Sequence, residues 1–548
     1  MTVLQGTGVV PGIGTGAVVR PTPRPTVPAD EPTAPAEEAT RRFSAAAGTV
    51  AQKLEQRALK ASGPAAEVLV ATAALARDRG LVGLVSAQLD AGKGVAAATV
   101  AAVEQLSDMF RSAGGLMAER VSDLQDIRDR VVAELTGQPE PGIPMPATPS
   151  VLCADDLAPA DTAGLDPSVI AAIATSLGGV TSHTTIIARQ LGIPCVVGCS
   201  GLDDVERGTE VLVDGTTGEV VLEPDPQMVE QRAAAARVAA EAAESWIGPG
   251  ATSDGHPVDI LANVQDGAGA GRAAETHVQG VGLFRTELCF LSADSEPTVE
   301  EQATIYREVL DAMGERKVVI RTLDAGSDKP LAFANLPDEP NPALGVRGMR
   351  LGIRDEGLMD RQLDAIALAA EGAAGDVWVM APMVATEEEA AWFAARVRER
   401  GLKPGVMIEV PAAALLADRI LRHVDFVSIG TNDLSQYTLA ADRMSSDLAH
   451  LTDPWQPALL GLVGQVARAG RDAGKPVGVC GEAAADPWLG CVMAGLGVTS
   501  LSAASTAAPA VGAAIAAHTL AECQKASDGA LAAADPASAR EAATQALG

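Results

Sequence analysis

The chain has 548 residues, 47% hydrophobic and 20% charged, with 41 basic and 71 acidic side chains for a net charge of −30. That length exceeds what one core supports and implies two to four domains, while the acidic balance excludes nucleic acid or an anionic membrane as main partner. Seven cysteines with no CxxC pair fit a reduced, cytoplasmic protein, and no apolar run approaches the roughly 20 residues of a membrane span.

Residues 3–20 predict a strand, a Gly/Pro turn at Val10-Pro11-Gly12-Ile13-Gly14 and a second strand through Ala17-Val18-Val19. A proline- and acid-rich connector follows. From 36 to 136 the apolar positions recur at helical spacing in FSAAAGTVAQKLEQRAL, AAEVLVATAALARD, VAAATVAAVEQLSDMF and AERVSDLQDIRDRVVAEL. They predict an antiparallel bundle without a phosphate loop or metal cluster. GQPEPGIPMPATP, residues 137–149, is a boundary. Beyond it strands and short helices alternate up to a hairpin of Val211-Leu212-Val213 with Val220-Val221-Leu222. The N-terminal strands are expected to rejoin this unit. Residues 1–20 plus 148–224 then form one α/β domain, and 21–147 are a helical insertion.

Residues 225–250 read as a linker helix and hinge, rich in alanine. From 251 to 523 buried strands alternate with helices: PVDILANV, GVGLF, KVVIRTLD, LGVRGMR, VWVMAPMV, GVMIEV, DFVSIG and PVGVCGE. Eight such units imply a (β/α)8 barrel, with VTSLSA at 498–503 a ninth candidate that leaves the closing strand open. The Ala-rich tail, 524–548, is expected to be a frayed helix or disordered.

Two features carry chemistry. GGVTSHTTIIARQLGIP, residues 178–194, sets His183 behind a double glycine and two N-cap hydroxyls, Thr181 and Ser182, with Gly192 and Pro194 ending the helix. His183 is expected in the first turn, where free N–H groups and the helix dipole favour an anion and a neutral imidazole. The competing reading is a capping histidine. The second feature is the rim at the C-terminal ends of the barrel strands, where active sites of this architecture lie. Arg285, Arg321, Glu409, Asn432, Asp433 and Cys480 fall there. Glu409 and Asp433 suit magnesium; Arg285, Arg321 and Arg443 offer forks for phosphate and carboxylate, and Lys329 a point charge. The set suits a small phosphorylated acid. Structural alternatives stand beside it: Arg321 pairing with Asp324 or Glu287, Asp433 capping its helix, Cys480 as a small buried hydrophobe, and Asp442-Arg443 as a surface pair.

These stretches resemble the motifs of the phosphoenolpyruvate-utilising enzymes. GGVTSHTTIIARQLGIP is similar to their phosphohistidine motif. GVGLFRTE, IRTLDAGSDK, GVMIEVPAA, SIGTNDLSQYTLAADR and VCGEAAAD are similar to those of their phosphoenolpyruvate barrel. Order and length resemble the enzyme I branch, the phosphoenolpyruvate–protein phosphotransferases of the sugar phosphotransferase system. The resemblance implies a swivelling α/β phosphohistidine domain with an inserted helical bundle that docks the phosphocarrier protein HPr, then a TIM barrel that binds phosphoenolpyruvate and dimerises. It implies phosphorylation of His183, with Thr162 bonding its other ring nitrogen. It implies Mg2+ on Glu409 and Asp433, and phosphoenolpyruvate on Arg285, Arg321, Asn432 and Arg443, with Lys329 and Arg347 assisting. Cys480 is implied to protonate enolpyruvate to pyruvate. Ser327, where the family usually has glycine, and Ala381, where it usually has an aromatic, depart from the pattern. Pyruvate phosphate dikinase or phosphoenolpyruvate synthase, which carry an added nucleotide-binding domain, and an inactive regulatory homologue are the alternatives.

Overall fold

The computed structural model describes every residue except 1, 29, 60–69, 71, 114–120, 144–145, 156, 158–164, 179–181, 291–292, 294, 327–330, 332, 335–338, 444, 446–447 and 449, and the backbone alone at 112, 113, 122, 183, 186 and 190. The chain divides into two compact units, 1–233 and 234–548. Among the described residues no helix is long and apolar enough to cross a membrane.

The first unit is built on an eight-stranded mixed sheet of β1 (Thr2–Gln5), β2 (Thr7–Val10), β3 (Ile13–Val19), β4 (Ser150–Ala154), β5 (Ile170–Thr175), β6 (Cys195–Val197), β7 (Glu210–Asp214) and β8 (Glu219–Leu222). Its order is β1-β8-β7-β3-β4-β5-β6-β2. β3 pairs directly and in parallel with β4, Val18 opposite Val151, although the whole helical segment lies between them in sequence. An isolated bridge between Thr22 and Gly142 closes the base of that insertion. The sheet carries apolar side chains on both faces, Leu152, Ile173 and Cys195 in one cluster and Val151, Cys153 and Val213 in another. This is why its central strands read as continuous apolar runs.

The insertion contains helices Ala36–Ala58, Arg79–Asp90, Val95–Ala113 and Val121–Thr136. Phe43, Leu54, Leu81, Val103 and Ile127 make its core. Arg79–Asp90 was not among the expected helices; Asp78 caps it by accepting from the Gly80 and Leu81 N–H groups. Most of the expected helix over 65–78 lies outside the described residues. Arg130, 3% exposed, bonds Asp126 at 2.7 Å and Glu140 at 2.6 Å, fixing the returning chain. The helix Pro226–Ser245 crosses the division between units and buries none of its residues.

The second unit is a closed parallel barrel of β9 (Asp259–Val264), β10 (Gly280–Arg285), β11 (Lys317–Arg321), β12 (Val377–Ala381), β13 (Lys403–Ile408), β14 (Phe426–Gly430), β15 (Val477–Cys480) and β16 (Ser500–Ala504). Two expectations are corrected. LGVRGMR is not a strand: Pro342–Leu344 form a 3-10 turn, Gly348 takes φ +56°, and a helix Met349–Arg354 follows. Arg347 is 1% exposed and its charge is paired within the rim. A β-strand would turn the loop away from those partners, and a Cβ at Gly348 would press to 3.1 Å on Pro382 and Met383. The closing strand is β16, from VTSLSA, which pairs with β15 and with β9.

The Ala-rich tail is folded rather than frayed or disordered. Helices Leu520–Ala532 and Pro536–Leu547 each start with a capping box, Thr519 with Glu522 and Asp535 with Ser538. They bury Cys523, Ala526, Ala530, Ala539 and Ala543 in the main barrel core. Small residues let the helices approach closely: a Cβ on Gly495 would lie 2.2 Å from the Cys523 carbonyl oxygen and 2.3 Å from Ser527 Oγ. Gly495→Val is therefore expected to destabilise the second unit by about 1–3 kcal/mol, read by denaturant unfolding. No shift would mean that the tail is not docked.

Candidate active site

At residues 182–192 the sequence folds as its caps dictate. Ser182 is the N-cap, its Oγ accepting from the Thr185 N–H at 3.3 Å; His183 is the first residue of the helix His183–Leu191; Gly192 takes the left-handed conformation at φ +66°. Thr184 and Thr185 are buried, and the Leu157 N–H donates to Thr184 Oγ1 at 3.3 Å. His183 thus starts a helix whose first N–H groups are not consumed by helix bonds. Its backbone position is that of the expected anion-facing turn. Its side chain, Gly179, Thr181 and Thr162 lie outside the described residues.

The second unit brings the expected rim residues together at the C-terminal ends of its strands. Arg285 ends β10, Arg321 ends β11, Glu409 follows β13, Asn432 and Asp433 open the helix Thr431–Leu439 after β14, and Cys480 ends β15. Arg347 and Arg443 arrive on loops. Lys329 and Ser327 lie outside the described residues.

Charge pairing organises this rim. Arg321, 5% exposed, donates to Glu287 Oε1 at 2.5 Å and pairs with Asp324 at 3.2 Å. The pairing weighed as a structural alternative is therefore present. Arg347 donates from Nε and Nη2 to Asp324, at 3.2 and 3.1 Å, and meets Asp433 at 3.3 Å and the Tyr437 hydroxyl at 3.4 Å. Arg443 stands 3.6 Å from Asp433. Burial lowers the pKa of both buried guanidiniums, but the carboxylates outweigh it and hold Arg321 and Arg347 above their usual range.

Asp433 is not the helix cap. It is the third residue of its helix, the N-cap is Gly430, and no side chain caps that end. Asn432 Oδ1 accepts from the Glu482 N–H at 3.1 Å, which ties the β14 and β15 loops together. Gly481 between them sits at φ +104°, and a Cβ there would come 2.6 Å from Thr431 Oγ1.

Glu409 is 1% exposed, and its Oε1 accepts from the Met383 N–H at 2.6 Å. Met383 adopts φ +58°, a strained value for a residue with a side chain. Burial first, then Asp433 and Asp324, push the Glu409 carboxyl up to about 8. Two carboxylates held together against their own repulsion are a fitting donor set for a divalent cation, and Asp433 Oδ1, ion-paired with Arg347 at 3.3 Å, accepts no hydrogen bond among the described residues. Among the described residues no group of three or more His, Cys, Asp or Glu side chains forms a metal cage; a cation held by Glu409 and Asp433 would need further ligands from elsewhere.

Arg285 differs from the other arginines. Among the described residues it makes no ion pair. Burial first, then the charge of Arg321, lower its pKa, with Glu287 opposing. A partly desolvated guanidinium with no ion pair among the described residues has its charge available to an anion.

Sequence reasoning named Asp324 and Glu287 only as partners for Arg321. In the structure Asp324 joins two arginines at 1% exposure. Its position in IRTLD, directly after a buried strand, was the available signal. Tyr437 and the Met383 N–H were missed altogether. Arg347→Met would leave Asp324 and Asp433 short of a counter-charge, at a cost of about 3–5 kcal/mol of stability. Arg361→Met, which breaks the exposed pair with Glu296, is expected to cost under about 1 kcal/mol. Equal effects in thermal unfolding would refute the buried network.

Comparison with known proteins agrees with this geometry. Residues 239–520 match the family profile "PEP-utilising enzyme, PEP-binding domain", 146–218 "PEP-utilising enzyme, mobile domain" and 5–120 "PEP-utilising enzyme, N-terminal". A phosphoenolpyruvate-protein phosphotransferase of Streptomyces coelicolor is 46% identical, the alignment covering 100% of this chain and 99% of that one. Another from Haloferax volcanii is 39% identical over 94% of each. A multiphosphoryl transfer protein of Xanthomonas campestris is 37% identical over 96% of this chain and 65% of its own. Matched from end to end by such a relative, and across both its mobile and PEP-binding domains by the family profiles, the chain belongs to the phosphoenolpyruvate–protein phosphotransferases, the enzyme I branch of the PEP-utilising enzymes.

Proposed function

We propose that the chain moves the phosphoryl group of phosphoenolpyruvate onto His183 and then to a histidine of the phosphocarrier HPr, releasing pyruvate in the cytoplasm. The observation that carries this reading is the full-length likeness to a named phosphotransferase, coupled to a rim whose unpaired Arg285 faces a cluster of paired charges.

Arg285 and Arg321 bind the phosphoryl oxygens, and Arg443 and Asn432 orient the rest of the substrate. Arg347 acts from behind, holding Asp433 and Asp324 in place. Lys329 adds positive charge. Magnesium, held by Glu409 and Asp433, would neutralise charge on the phosphoryl and enolate oxygens. His183 attacks phosphorus as a neutral imidazole, its helix N-terminus favouring the anion that forms; Thr162 holds the other ring nitrogen. Cys480 gives a proton to C3 of enolpyruvate. The acceptor histidine and the donor site are on different units, so the relay requires them to meet, with 225–250 as the hinge.

The helical insertion 21–147 is the docking site for HPr, and the barrel is the dimer surface. Leu344, 66% exposed, and Ile353, 40% exposed, offer apolar area for a second copy.

His183→Ala is expected to keep the native circular dichroism spectrum and to give no acid-labile phosphoprotein with labelled phosphoenolpyruvate. Labelling that persists would refute the assignment. Pyruvate release should be stoichiometric with enzyme alone and become catalytic when HPr is added. A chelator should abolish it and magnesium restore it, and Glu409→Gln should slow it on the order of 10²-fold or more.

A further inference from the structure

Cys480 lies inside the barrel at 1% exposure, packed among Leu283, Val319, Met380, Met407 and Phe426. An apolar cage makes a thiol a reluctant proton donor, because the thiolate left behind is poorly solvated. Burial first raises its pKa and the nearby Glu409 adds to this, while Arg321 and Arg285 oppose. A group that helps the sulfur carry charge is therefore needed if Cys480 is to give up its proton.

Strand register supplies one. β14 and β15 pair Ser428 with Gly478 and Gly430 with Cys480. Alternate residues of a strand share a face, so Ser428 faces the barrel interior one step below Cys480. Ser428 is 6% exposed, and of the groups around the Cys480 thiol its hydroxyl does most to offset the rise that burial causes. Gly478 keeps the space between them open: a Cβ there would approach Ser428 Oγ to 3.7 Å and Ser500 Oγ to 2.7 Å. The thiol itself donates to the Ile429 carbonyl oxygen, 3.5 Å from Sγ.

We infer that Ser428 is a positioning residue for proton delivery, its hydroxyl donating to Cys480 Sγ and holding the thiolate that forms. This rests on the role proposed for Cys480. Once the phosphoryl group has left, the S–H turns from the Ile429 carbonyl toward the rim. The electron pair of the enolate C=C takes the proton at C3, C2–O⁻ becomes the carbonyl, and the S–H pair stays on sulfur. Ser428 O–H stabilises that charge until solvent returns a proton and pyruvate departs.

The test uses the full chain with phosphoenolpyruvate stereospecifically deuterated at C3, turned over in tritiated water, the pyruvate trapped at once and its methyl chirality read. A proton delivered by the enzyme enters one face; enolpyruvate released to solvent gives a racemic methyl group. Ser428→Ala should lose most of the stereochemical excess and slow pyruvate formation about tenfold, with His183 phosphorylation unchanged, and Ser428→Thr should restore both. Ser428→Ala behaving as wild type, while Cys480→Ala loses the excess, would overturn this inference alone. Cys480→Ala behaving as wild type would overturn the role of Cys480 and this inference with it. Parallel loss of His183 phosphorylation in Ser428→Ala would mark a structural role and overturn it as well.

Discussion

Asp324, buried at the mouth of the barrel, accepts from Arg347 and pairs with Arg321, and Arg347 in turn reaches Asp433. Each of these charges is costly to bury alone. Together they are tolerable only with every partner in place. Arg321 comes from β11, Arg347 from the loop beyond it and Asp433 from the helix after β14, so the network joins segments that only the pairing of the intervening strands brings to one end of the barrel.

That constraint leaves the rim with a graded set of arginines. Arg321 and Arg347 spend their charge on carboxylates, while Arg285 makes no ion pair among the described residues and Arg443 stands 3.6 Å from Asp433. Charges fixed in this way before any ligand arrives need little rearrangement to act on one. Glu409 is in the opposite condition. It is buried against Asp433 and Asp324, and its carboxyl is held by the N–H of a strained Met383.

The first unit solves a different problem. It presents one histidine at the start of a short helix, and the capping by Ser182 and the left-handed Gly192 fix where that helix begins and ends. These signals are local, so they were legible directly: hydroxyl, histidine, apolar pair, glycine, proline. The same holds for the strand ends bearing Arg285, Arg321, Glu409 and Cys480, because a buried parallel strand followed by a charged residue has a distinctive pattern. LGVRGMR imitated that pattern and failed. Its valine and leucine are apolar, but its arginine had a partner across the barrel that no local window contains, and VTSLSA took the eighth place instead.

The tail was misjudged for a related reason. Alanine and serine read as weak core formers, yet the first tail helix seats against Gly495, and the second against Gly529, at distances larger side chains forbid. The sequence by itself determined which charged residues stand at the barrel's strand ends, the insertion of a helical segment into an α/β sheet, and the barrel, since these rest on periodicity, caps and residue type at strand ends. Only the tertiary structure decided which carboxylate answers which arginine, that Arg285 has no ion pair among the described residues, that Met383 is strained behind Glu409, and that Ser428 lies beneath Cys480. Those are matters of register and closure between segments far apart in the chain, and pairing across a closed barrel is set by geometry that no local run of residues encodes.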